Sequence, residues 1–303
     1  MSEGALDLVA LQAPGDDDTA AILRALAARD AHDYGDPSFT RAEILARWQT
    51  GGFDPAADSV IAEHAGAIAG YAAVFNVGAL AFVAREREGR GIGARLLAWT
   101  EQRETQRGAA THRQRVAHTN ATAAALLGTA GYAHVRTVWQ MASPLTSVVT
   151  PPSPPEGVTF EPIDRIRDAE AIHAADAAIF AKNPDYVAET FEDFRTEHLA
   201  TAQFDPEASV VARRRGAVAG YALCQRLPGQ IGYVDVLGVC EDERGLGLGA
   251  AIVGYALAAF ARTGLREARL EVASDNPVAV RMYERAGLAR RNGAAIWEKP
   301  LAG

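Results

Sequence analysis

Apolar positions recur along this chain in two rhythms, one of period 3.6 and one of extended runs. In the C-terminal half, residues 168–180 carry apolar side chains at helical spacing, and 185–199 give a second such segment. The apolar stretches 209–212 and 217–224 flank Arg213-Arg214-Arg215-Gly216, the pattern of a β-hairpin. Residues 231–239 are rich in β-branched side chains and predict a strand. Residues 247–263 are apolar almost throughout, which predicts a long helix buried on several sides. A strand over 267–272, a helix over 277–286 and a last strand over 295–299 complete the series. Helix, helix, strands, helix, strand, helix, strand is the order of an α/β fold, here with a mixed (α+β) sheet.

The pattern occurs twice. Phe53-Asp54-Pro55 returns as Phe204-Asp205-Pro206, and Ala67-Ile68-Ala69-Gly70-Tyr71 returns as Ala217-Val218-Ala219-Gly220-Tyr221. Further on, Gly91-Ile92-Gly93 matches Gly247-Leu248-Gly249, Asn120 matches Asn276, and Gly131 matches Gly287. Residues 139–145 echo 297–301. A period this long indicates a duplicated domain, not a solenoid. Four prolines between Thr150 and Gly157 cannot sit in a helix or a sheet ladder, so they predict a stiff linker. The expected division is therefore 1–147, a linker at 148–157, and 158–303.

Composition narrows the function classes. With 30 Lys and Arg against 38 Asp and Glu, the net charge of −8 argues against a nucleic-acid-binding surface. No apolar run reaches the ~18 residues of a membrane span, and no signal peptide is visible. A cytoplasmic protein is expected. Cys224 and Cys240 lie in apolar runs outside any paired-cysteine motif and read as reduced thiols. The seven histidines show no metal-ligand spacing, so no metal is expected.

Chemistry concentrates in the loop Arg244-Gly245-Leu246-Gly247-Leu248-Gly249, between the predicted strand at 231–239 and the long helix. Glycines let the backbone turn tightly and approach a ligand, and a helix start presents free N–H groups to an anion. Arg244 adds a forked donor for phosphate oxygens. Three readings stand: a glycine turn without a ligand, a dinucleotide loop in which Gly245, Gly247 and Ala250 fit G-x-G-x-x-A, and an acyl-coenzyme A loop. Against the second, several strands precede this loop, and the nearest acidic candidate, Glu271, lies within a strand.

Arg244, Gly247 and Gly249 fit the pattern R/Q-x-x-G-x-G/A. With Val236-Leu237-Gly238-Val239 before it and Asn276, Ala279, Tyr283, Glu284 and Gly287 after it, each copy resembles the GNAT acyltransferases over nearly its whole length. The resemblance implies two splayed mixed sheets with helices on both faces, and acetyl-CoA as co-substrate. The backbone of Leu237, Gly238 and Val239 would pair with pantetheine. Arg244, Gly245, Leu246, Gly247, Leu248, Gly249 and Ala250 would hold the pyrophosphate, with Asn276 nearby. Tyr283 stands at the place of the family's catalytic acid, which protonates the leaving thiolate.

Asp235 is the candidate base, a carboxylate in an otherwise apolar strand that is costly to bury without purpose. Strand parity with Leu237 and Val239 would turn it to the same side as they. The tandem arrangement is similar to that of the mycothiol synthases, in which the base is a glutamate whose place is taken here by Tyr233. Asn276 also suits a helix cap. His173 and His198 are further candidates to line the acceptor cleft. Asp185, Glu189, Glu192 and Asp193 form either a cation-attracting or a merely solvated face.

The first copy departs from this pattern. Its loop keeps Gly89, Arg90, Gly91, Ile92 and Gly93, but Glu88 replaces the arginine, and Leu127 replaces the tyrosine seven residues after Asn120. The expectation is no catalysis there, with Phe82, Val83 and Gly89 to Gly93 as weaker candidates for coenzyme A contact. The reading of the whole chain is N-acetylation of a small-molecule amine by a monomer or weak homodimer. Another acyl donor, a mycothiol-type acceptor and a non-catalytic acyl-CoA binder are the alternatives.

Overall fold

The computed structural model describes residues 10–15, 18–35, 48, 53–75, 78–145, 152–183, 186 and 188–301. Two compact units emerge, Met1–Val138 with Asn292–Gly303, and Trp139–Arg291.

In the first unit, β1 (Ala10–Gln12) and helix α1 (Thr19–Tyr34) precede a short helix α2 (Pro55–Asp58). Strands β2 (Ser59–His64), β3 (Ala67–Phe75) and β4 (Gly78–Val83) form an antiparallel meander. Helix α3 (Ile92–Gln106), β5 (Thr111–Ala117) and α4 (Ala121–Thr129) follow, and then β6 (Ala133–Pro144) begins. Val60, Ala62, Ala72, Ile92 and Leu96 make the core under α3. Ile61, Tyr71, Ala73 and Phe82 meet Ile22 and Leu26 of α1 on the other face. Alternation along β2 and β3 thus supplies two cores from one sheet.

The second unit takes β6 from Trp139 onwards, then β7 (Val158–Pro162), α5 (Ala169–Phe180) and the short α6 (Phe191–Phe194). Next come β8 (Val210–Arg214), β9 (Ala217–Leu227), β10 (Ile231–Val239), α7 (Leu248–Arg262), β11 (Glu267–Ala273) and α8 (Pro277–Arg285). The strand order is β6-β11-β10-β9-β8-β7. β10 and β11 pair in parallel only from Ile231–Glu267 to Val234–Leu270, whereas β9 follows β10 to Val239. The last half of β10 is therefore not paired with β11.

The compact units do not follow the boundary expected at the proline-rich segment. The last strand, β12 (Ala289–Pro300), enters the first unit at Asn292 and runs antiparallel to β5, from Ala294–Ala117 to Pro300–Thr111. Asn292 donates its side-chain amide to Tyr34 O at 2.8 Å, and Arg113 pairs with Glu298. In return, Leu145 N, just past β6, donates to Arg266 O at 2.8 Å inside the second unit. The described residues of the linker, 152–157, carry neither helix nor strand.

Elements expected from the sequence recur with small changes. β10 keeps the expected ends, α7 starts one residue later and stops one earlier, and β12 is longer than 295–299. The helix expected over 185–199 is shorter: α6 leads into a π turn, Arg195–Leu199, closed by Ala200 N donating to Arg195 O at 2.8 Å. Asp185 lies outside the described residues. Both cysteines are free, Cys224 buried and Cys240 half-buried. Among the described residues no helix is long and apolar enough to cross a membrane.

Candidate functional site

The glycine loop of the second unit takes the shape its sequence demands. Gly245 and Gly247 have φ of 79° and 80°, a region where a side chain is strained. Gly247 caps α7 in the left-handed conformation, so the first N–H groups of the helix open onto the loop. Leu248 is buried and anchors the helix start, whereas Arg244, Gly245, Leu246 and Gly247 are exposed, as is Ala250. Arg244 donates Nε to Val239 O at 3.1 Å, which ties the loop back to the end of β10. A β-carbon on Gly249 would come within 2.9 Å of Met282 Sδ, so this glycine lets α7 and α8 approach.

The first unit repeats the backbone, with φ of 74° at Gly89 and 76° at Gly91, and α3 opening after Gly91. Its electrostatics differ. Glu88 is paired with Arg29 of α1, which also binds Asp33 at 2.7 Å. Arg87 lies 3.0 Å from His64 Nδ1. Phe82 is buried in the α1 face of the core, and Val83 packs towards α3.

Tyr283 sits on α8, 7% exposed, packed against the core that α7 shares with the sheet. Burial alone pushes its phenol up to about 12, so it stays protonated at working pH and can act as a donor. Asn276 caps α8 by accepting from Ala279 N at 3.1 Å, and Asn120 caps α4 in the same way at 3.0 Å. The cap expected from the sequence is present in both copies. Leu127 is buried at the place of the tyrosine in the first unit.

Asp235 corrects the parity argument. Pairing with β9 steps over it: Val234 faces Cys224 and Val236 already faces Leu223, a β-bulge. Leu237 and Val239 pack on the α7 core, whereas Val236 packs on the α5 core. Asp235 turns to the α5 side too, where its Oδ2 lies 3.0 Å from His198 Nδ1. Asp235 and the Leu237–Val239 side chains thus use opposite faces of β10.

Sequence reasoning named His173, His198 and Glu189 of this cluster but missed Tyr221, Asp176 and Glu197. Tyr221 on β9 donates its hydroxyl to Asp176 of α5 in a short hydrogen bond. Glu189 brings Oε2 to 3.5 Å from His198 Nε2. Burial raises the carboxyls of Asp176 and Glu189 above the usual range, only partly opposed by Tyr221 at the first and His198 at the second. His173 contacts the backbone O of Glu189 at 3.1 Å. Glu192 is paired with Arg195, and Asp193 accepts from Thr190, so these two form a solvated face. Glu189, Glu197 and His198 bring ligand-type atoms within 4.8 Å of one another, a grouping not visible as sequence spacing. The one signal for Asp176 was an acid in the apolar second half of α5.

Both halves of the chain match one family model, described as the acetyltransferase (GNAT) family, over residues 21–132 and 174–288. A mycothiol acetyltransferase of Thermobispora bispora is 36% identical over 67% of this chain and 69% of its own length. The mycothiol acetyltransferase of Geodermatophilus obscurus is 32% identical over 92% of this chain and 94% of its own. Among solved structures, a GCN5-related N-acetyltransferase from Sphaerobacter thermophilus superposes with a TM-score of 0.83 at 26% identity, covering 97% of this chain and 96% of that one. A tandem GNAT protein from the clavulanic acid biosynthesis pathway gives 0.74 at 16% identity over 98% and 99%, a likeness of fold alone.

Proposed function

This chain belongs to the GNAT acetyltransferase family, and we propose that it transfers the acetyl group of acetyl-CoA to the amine of a small molecule at its second unit. The observation that carries this is the exposed loop in which Arg244 and left-handed Gly247 precede the free N–H groups of α7. A helix start and a guanidinium are what a pyrophosphate requires. The stretch of β10 beyond Val234, which β11 does not pair, suits an extended pantetheine arm.

The bound co-substrate supplies the thioester carbonyl; the chain's residues move the protons. An ammonium acceptor loses two protons on becoming an amide, and the departing thiolate gains one. Asp235 takes the first proton, Tyr283 gives one to the thiolate, and the second proton from nitrogen restores Tyr283. One proton per turnover leaves to solvent. Protonated Tyr283, pushed up to about 12, suits its role.

Acetyl-CoA calorimetry on the wild type and on Arg244→Glu tests the assignment. The expected result is one site per chain, lost in the variant. Two sites with one surviving would return the first unit to a binding role, and no binding at all would overturn the reading.

A second reading, a mycothiol-type amine as acceptor, is favoured by the identity to the two mycothiol acetyltransferases.

A further inference from the structure

His198 is held on three sides. Nδ1 lies 3.0 Å from Asp235 Oδ2, and Nε2 lies 3.5 Å from Glu189 Oε2. Its ring packs against Phe194 at 5.0 Å between centroids, and Phe194 packs in turn against His173 at 5.2 Å. The backbone beneath it is the π turn Arg195–Leu199, a departure from regular helix that recurs at functional sites. The charged and titratable groups around the imidazole are Asp235 from β10, Glu189 from the segment before α6, Asp176 from α5 and Glu197 from its own turn. Tyr221 and Tyr186 adjoin the same carboxylates. Burial by itself lowers the imidazole pKa, but the hydrogen bond to Asp235 and the fields of Asp235, Glu189 and Asp176 outweigh it, and the balance is upward.

We infer that His198 is a positioning residue for the base: as an imidazolium it donates from Nδ1 to Asp235 and faces Glu189 with Nε2, which fixes the Asp235 carboxylate and leaves its second oxygen for the acceptor amine. The inference rests on Asp235 being the base. A neutral imidazole has one N–H, so its loss of a proton leaves one of the two carboxylates facing a lone pair. The clamp therefore depends on pH, as passive packing would not. The bulge and the π turn serve one purpose here, since each breaks a regular element at the residue that must reach the other.

The test uses the full chain, acetyl-CoA and a panel of primary amines, of which the one giving the fastest thiol release is carried forward. Asp235→Asn, His198→Ala, His198→Gln and Glu189→Gln are compared by kcat, by KM for acetyl-CoA and by pH profile. Calorimetric acetyl-CoA stoichiometry serves as the check of folding. His198→Ala is expected to lower kcat up to about 100-fold, the cost of a misplaced group, with KM for acetyl-CoA unchanged. His198→Gln, whose amide still donates to Asp235, should recover most of that loss. The wild-type profile should carry an ionisation above pH ~6.5 that moves to lower pH in Glu189→Gln and is missing from His198→Gln. Wild-type kcat and an unchanged profile in His198→Ala, beside a crippled Asp235→Asn, would overturn the clamp and leave the base in place. Full activity in Asp235→Asn, or no turnover with any amine, would remove the base reading and the clamp with it.

Discussion

Arg29 of α1 and Glu88 of the glycine loop are ion-paired in the first unit, at the position where the second unit exposes Arg244. The carboxylate that replaces an arginine therefore has its own cation, and Arg29 is 9% exposed at its side chain. Its guanidinium pKa is raised: burial opposes the charge, but Asp33 and Glu88 outweigh that. Through Glu88 the loop fastens α1 to the first unit. Glu88→Gln should lower the stability of the first unit by about 1 kcal/mol, the scale of a partly exposed pair. Calorimetric melting would read this as a small drop in Tm, and acetyl-CoA binding at the second unit should not change. A variant as stable as the wild type would mean the pair contributes nothing.

Tyr283→Phe removes one hydroxyl from a buried ring and should leave acetyl-CoA affinity intact. Its kcat should fall by about 100-fold or more, the range for a lost general acid. With the phenol pushed up to about 12, no loss of wild-type rate from this group is expected up to about pH 11. Steady-state kinetics with coenzyme A release as the readout would check both points. A Phe variant with wild-type kcat would take the acid role away from this residue.

The first unit contains two buried groups that titrate in opposite senses. Burial pushes Glu104 up to about 7, against weaker pull from Arg107 and Arg113. Burial pushes His112 down to about 4; its Nδ1 lies 2.6 Å from the Tyr132 hydroxyl. Glu104 holds a proton in the folded state that the unfolded chain releases, so its contribution is present below the unfolded pKa of 4.5 and lost as pH rises towards 7. His112 excludes a proton that the unfolded chain binds, so its contribution is present above 6.5 and lost as pH falls towards 4. Glu104→Gln should keep the acid loss and abolish the loss towards pH 7. The variant is expected to exceed the wild type at pH 8 by on the order of 1 kcal/mol, after allowance for solvent screening. Urea titrations at pH 5 and 8 would show it; equal stability at pH 8 would sink the account.

Gly70 and Gly220 hold equivalent places in the two copies, and each lies under a backbone carbonyl. A β-carbon would come within 2.8 Å of Phe82 O in the first case and 2.8 Å of Gly238 O in the second. Ile252 or Leu96 would crowd it from the helix side. Either Gly→Ala change should cost about 1–3 kcal/mol, the range for overpacking. Gly220→Ala should also disturb the end of β10 and weaken acetyl-CoA binding, whereas Gly70→Ala should not. Equal effects on binding would contradict a working second unit beside a scaffolding first.

Sequence carried the local features well, because their causes are local. β10 was legible from its β-branched run, and α7 from its apolar length between a glycine loop and Thr263-Gly264. The helix cap at Asn276 was legible from residue type alone, and Asn120 repeats it in the first copy. What escaped depends on residues far apart. Arg29 and Glu88 are 59 positions apart, and His198 and Asp235 are 37 apart. The bulge at Asp235 reversed an argument that assumed strict alternation. β7 is five residues at a sheet edge, too short to announce itself. The placing of β6 and β12 was hidden for another reason: the two strands echo one another in sequence, so neither carries a mark of the sheet it closes.

That placing sets a timetable for biogenesis. The strand that borders β5 is made only after the whole of the second unit. While the ribosome is still making that unit, the first has a bare edge along β5, the kind of edge that invites wrong partners. The usual rule that the leading domain folds first does not apply in full here. A chain halted in the proline-rich segment would yield half a protein lacking its closing strand, so proteolytic or genetic separation at the linker is a poor way to obtain either half alone.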